Sequence, residues 1–82
     1  MKPELYTRIV LTCDVPAEGL HRGDLAWVVD YLPHPAQGEE GAIIEIFNVL
    51  GKSLRVAIVP ISAIAPVQAD QVPTVRELAA AL

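Results

Sequence analysis

From Gly19 to Leu32 the sequence reads G-L-H-R-G-D-L-A-W-V-V-D-Y-L, a glycine-bounded turn that runs straight into the strongest strand signal of the chain. Gly19 and Gly23 suit a tight reversal because glycine takes positive φ at little steric cost, and Asp24 can hold the turn through nearby backbone amides. Leu25, Trp27, Val29 and Tyr31 then recur at every second position, which lays one continuous apolar face along a pleated strand. Ala26 and Val28 are apolar as well, so the strand is expected to be central or bulged. With 82 residues there is room for one domain and one core around it. The reading is all-β, a small barrel.

Other strands follow from alternation and punctuation. Arg8–Val15 predicts the first, with Ile9, Leu11 and Cys13 inward; Pro16 stops it because proline cannot donate a ladder hydrogen bond. Pro16 to Asp24 forms one long loop and Leu32 to Gly41, rich in proline, glycine and glutamate, a second. Ala42–Val49 is the third strand. The lone carboxylate Glu45 belongs on its solvent side, which turns Ala42, Ile44 and Ile46 inward and Ile43 and Phe47 outward. Gly51 marks a hairpin, and Leu54–Val59 returns as the fourth strand. Arg55 sets its outer face by the same argument, with Ala57 and Val59 outward and Leu54, Val56 and Ile58 inward. After Pro60, Ile61–Ile64 fits one 3₁₀ turn and Ala65–Val67 a fifth edge strand. Residues 1–67 thus form the barrel domain. Residues 68–82 form a linker and a short C-terminal helix, in which Thr74 and Glu77 fit a capping box ahead of an apolar stripe of Val75, Leu78, Ala79 and Leu82.

Composition excludes more than it assigns. The net charge of −4 would repel a phosphate backbone, so general nucleic-acid affinity is not expected. The local exception is an edge on which Arg8, Arg22, Lys52 and Arg55 could gather, and a nucleic-acid-binding barrel is the alternative reading. One cysteine, Cys13, gives no intramolecular disulfide and no sign of an oxidising compartment. The N-terminal residues lack the apolar core of a secretory signal, and Leu54–Val67, broken by Arg55, Pro60 and Pro66, is too short and interrupted to span a membrane. A cytoplasmic location is expected. His21 and His34 fall in loops without partners at zinc spacing, and Cys13 reads as a small hydrophobe rather than a nucleophile. Glu39 and Glu40 are adjacent and point apart in an extended chain. No catalytic residue, cofactor-binding residue or metal ligand emerges, so the reading is not an enzyme.

What rises above this background is the outward apolar set. Ile43 and Phe47 on the third strand with Ala57 and Val59 on the fourth, beside Arg55, form the expected interaction surface, to be covered by a protein partner, a second copy or the chain's own tail. Trp27, Tyr31 and Phe47 are the candidate anchors, because aromatic side chains concentrate binding energy in interfaces as they do in cores.

The run L-T-C-D-V-P-A-E-G-L-H-R-G-D-L-A-W-V-V after Val10, then E-I-F-N-V-L-G-K-S-L-R-V and the ending I-A-P-V, resembles the small bacterial proteins grouped as domain-of-unknown-function family 4926 (DUF4926). The resemblance spans about residues 5 to 67 and rests chiefly on D-V-P-x-x-G-L-x-x-G-D at Asp14–Asp24 and on Val28 and Val29. Ala26 replaces a glycine frequent in that family, and the tail after Val67 lies outside the pattern. The resemblance implies an SH3-like barrel of unassigned activity and contributes no site. Together with the residue reading it gives a five-stranded SH3-like barrel, uncharacterised in activity, that acts by protein–protein interaction or self-association.

Overall fold

The computed structural model describes residues 2–33 and 38–78. Its strands are β1 (Arg8–Leu11), β2 (Leu25–Leu32), β3 (Gly41–Phe47), β4 (Ser53–Pro60) and β5 (Ile64–Pro66). They pair antiparallel throughout, in one five-stranded sheet of order β4-β3-β2-β1-β5. β2 is central and its register with β3 shifts between Val28 and Asp30, the bulge that two apolar faces had suggested. A 3₁₀ turn at Ile61–Ala63 links β4 to β5.

Twelve hydrophobic residues form the core and, among the described residues, no polar or charged side chain is buried. On β3 the inward set is Ala42, Ile44 and Ile46, as the placement of Glu45 predicts. Two other faces differ from expectation. On β2 the buried residues are Ala26 and Val28, opposite Ile9 and Ile44, while Trp27 is exposed. Tyr31 lies past the bulge, opposite buried Ala42, and packs against the core. On β4 the order is inverted: Ala57 and Val59 are buried, and Leu54, Val56 and Ile58 are exposed.

Phe47 pairs with Ser53, so Leu54 is an extra residue at a bulge. The register shows the inversion at Arg55, which pairs with buried Ile46 and so leaves its strand on the inner face. A carboxylate meets it there: Nη1 donates to Glu18 Oε1 at 3.0 Å and Nη2 donates to the Glu18 carbonyl. A lone arginine marks the solvent side only when nothing on the other side compensates its charge.

β1 is shorter than expected and ends at Leu11. From there the backbone bonds into the following loop, with the Leu11 amide donating to the Asp24 carbonyl at 2.9 Å and the Thr12 amide to the Ala63 carbonyl at 2.8 Å. Cys13 is consequently exposed rather than inward. The loop is ordered by the D-V-P-x-x-G-L-x-x-G-D residues themselves. Asp14 accepts from the Arg22 amide at 2.9 Å, Val15 bridges to Leu20, and Pro16 opens a 3₁₀ turn over Pro16–Glu18 that closes on Gly19 at φ 68°. Leu20 is buried in the core, and Asp24 accepts from the His21 amide at 2.8 Å. The β3–β4 hairpin is held similarly by Asn48, whose Oδ1 accepts from the Leu50 and Lys52 amides, both at 2.9 Å.

Residues 74–78 are not helical. Arg76 is forked on Asp24 and Leu78 packs against the core, while Val75 is 81% exposed. A nine-residue helix carries a nucleation cost that one cap offsets only in part, and the contacts of Arg76 and Leu78 hold the segment in a non-helical form. The rest of the expected helix, 79–82, lies outside the described residues, as does His34.

Candidate functional site

Three cross-strand rows cover the outer face of β2, β3 and β4. Arg8, Trp27, Glu45 and Val56 form the first, by the pairings Arg8 with Trp27, Trp27 with Glu45 and Glu45 with Val56. Asp30, Ile43 and Ile58 form the second, and Leu32, Gly41 and Pro60 the third. Residues directly opposite in an antiparallel ladder share a face, so Trp27, Ile43, Val56 and Ile58 lie on one face, with Glu45 between Trp27 and Val56. Val56 and Ile58 are each 53% exposed and Trp27 is 38% exposed. A shallow hollow of about 420 Å³ continues this face past Leu32, Gly41, Ile58 and Pro60. Arg8, whose guanidinium carbon lies 6.0 Å from the centre of the Trp27 ring, and Asp30 border the face, and Glu45 interrupts its first row between Trp27 and Val56. β4 is the outermost strand on this side.

The residues expected to form an interaction surface separate here. Ile43 is outward as expected and Phe47 is half-buried. Ala57 and Val59 belong to the core, and Arg55 to its rim. Val56, Ile58 and Leu54 take their place, and Trp27 joins from β2. A signal for this was present in side-chain size: Ala26, Ala42, Ala57 and Ala63 are all buried. A core packed on one face of a small sheet is thin, so small residues mark its inner positions. The four basic residues do not form one edge either, because Arg8 shares the outer face with Trp27 and Arg55 the inner face with Ile46.

A larger groove of about 830 Å³ lies at one end of the sheet, between the Gly23–Trp27 segment, the Ile46–Val49 segment and Leu54, with residues 73–78 lying along it. The opposite end is closed by the N-terminal segment. Lys2 donates to Glu40 at 2.7 Å and sits 4.4 Å from the centre of the Tyr31 ring, whose hydroxyl donates to the Pro3 carbonyl at 2.5 Å. Burial pushes the Tyr31 phenol above its ordinary pKa of 10.0, with Lys2 pulling the other way and Glu40 adding to the rise.

Among the described residues no three His, Cys, Asp or Glu side chains gather as a metal site would require, and no helix is long and apolar enough to cross a membrane. No protein-family model matches the chain, and comparison with curated proteins and with solved structures gives no significant match.

Proposed function

We propose that this chain is a non-enzymatic interaction module that binds protein, a second copy or another chain, through the outer face of β2, β3 and β4. The observation that carries the reading is the apolar set Ile43, Val56 and Ile58 on neighbouring β3 and β4, with Trp27 on the same face of β2 beyond Glu45, ending at an edge strand. Scattered surface apolar side chains are ordinary, whereas a contiguous patch with a polar border is the usual mark of an interface. An edge strand adds unpaired backbone groups that an incoming strand can meet.

The same reading takes the sheet as an SH3-like barrel related to DUF4926. Its support is the strand order β4-β3-β2-β1-β5, the 3₁₀ turn before β5, and the Glu18–Arg55 link that ties the first loop to β4. The D-V-P-x-x-G-L-x-x-G-D residues shape a loop rather than perform chemistry, which fits a module without catalysis. Cytoplasmic operation belongs to this proposal as well.

Val56→Glu and Ile58→Glu test it. Each places a carboxylate on the exposed face and removes nothing from the core, so association should be lost while the melting temperature stays nearly constant. Retained association in both variants would refute the reading.

A further inference from the structure

The two edges of the sheet are built differently. β5 is three residues long and ends on Pro66, which leaves an incoming strand little to pair with. β4 pairs with β3 on one side, and among the described residues no other backbone hydrogen bond reaches Leu54–Val59. Its bulge falls at Leu54, so Arg55–Pro60 runs in regular register. The strand reads S-L-R-V-A-I-V-P, with no proline before its last residue and one charge. That charge, Arg55, lies on the inner face, where Nη1 donates to Glu18 Oε1 at 3.0 Å. Leu54, Val56 and Ile58 are exposed. A long, regular, apolar edge without charges on its exposed side is a template for a further strand.

We propose that the partner of this face is a second copy of the chain, joined by antiparallel pairing of β4 with β4 about a two-fold axis at Val56. This rests on the interaction reading above and names its partner. The choice follows from charge and register. Centred on Val56, the pairing sets Val56 opposite the second copy's Val56, Leu54 opposite its Ile58 and Arg55 opposite its Ala57. Each exposed apolar side chain then meets another, the two arginines are kept off each other, and Pro60, which has no amide to donate, falls outside the paired stretch. Two-fold pairing also closes. It consumes both open edges and leaves only the short β5 edges, so assembly stops at two copies. Val56 and Ile58 gain a lateral neighbour, and the apolar strip they form with Ile43 continues across the seam.

Sedimentation equilibrium of wild type, Val56→Glu, Val56→Lys and an equimolar mixture of the two variants tests this. Wild type should form a dimer. Val56→Glu sets two carboxylates opposite each other beside Glu45, and Val56→Lys sets two ammonium groups opposite each other, so each variant alone should dimerise at least about ten-fold more weakly. The mixture should recover the dimer, because opposite charges at one position rescue only a residue that faces its own counterpart. Amide exchange of wild type gives an independent readout: every second amide of Leu54–Val59 should gain protection as concentration rises. If either variant lacks a cooperative thermal transition, the exchange pattern decides alone. A wild type that stays monomeric overturns the inference, while capture of a different protein by the same face would leave the interaction reading standing. A dimer kept by both variants overturns the inference and that reading together. A mixture that fails to recover the dimer, or a dimer without protection in β4, overturns the strand pairing.

Discussion

Arg55 stands directly across the ladder from Ile46, on the face that forms the core, and its guanidinium is held by the side chain and the backbone carbonyl of Glu18. The two charged side chains are 26% and 30% exposed, between a surface pair and a buried one. Removing the carboxylate alone leaves a half-buried cation, which costs more than removing both charges. Glu18→Ala should therefore destabilise the protein by about 1 to 2 kcal/mol, above the surface-pair range and below the fully buried one. Arg55→Met, which keeps the stem and removes the charge, should cost less than Glu18→Ala. Urea midpoints of the two variants measured together decide this, and the reverse order contradicts the inner placement of Arg55.

The face assignment of β3 and β4 predicts opposite behaviour at neighbouring isoleucines. Ile44 is fully buried between Val28 and Ala57, so Ile44→Ala should cost about 2 to 5 kcal/mol. Ile58, 53% exposed, should lose under about 1 kcal/mol on the same change. Thermal unfolding distinguishes them directly, since 1 kcal/mol moves the midpoint of a domain this size by about 4 to 8 °C.

Tyr31 gives a pH dependence. Its folded pKa is raised, chiefly by burial, so the unfolded chain ionises first as pH climbs. The folded state binds the extra proton in that range, and stability is complete below the ordinary value of 10.0 and declines as pH rises through it toward the folded value. Tyr31→Phe removes this decline along with the hydroxyl bond to Pro3, which is worth about 1 kcal/mol at neutral pH. Wild type should be the more stable at pH 7 and lose its advantage above about pH 10. Parallel stability curves for the two proteins would contradict the half-buried placement of the phenol.

Much of the architecture is legible in the residues. Glycine and proline mark the turns, Glu45 sets the faces of β3, and the two apolar faces of β2 point to a central or bulged strand, which is both. What escaped depended on contacts distant in sequence. Glu18, 37 residues from Arg55, meets that arginine on the inner face, and within Leu54–Val59 the small side chain of Ala57 is the local sign of the inverted order. Asp24 likewise meets Arg76 across 52 residues, in a segment that is not helical although its own capping pattern favours helix. The candidate surface shifted with the β4 register: an outward apolar set on β3 and β4 was readable, but its β4 members were off by one residue.

The interaction reading is tested most directly by affinity capture from the source cell's lysate, with wild type, Val56→Glu and Ile58→Glu run in parallel and their melting temperatures measured alongside. The account predicts that wild type retains one defined protein, its own copy or another, in near-stoichiometric amount. Both variants should lose it with the melting temperature nearly unchanged. Identical retention by all three proteins would contradict the claim that the Trp27, Ile43, Val56 and Ile58 face is where this chain binds protein.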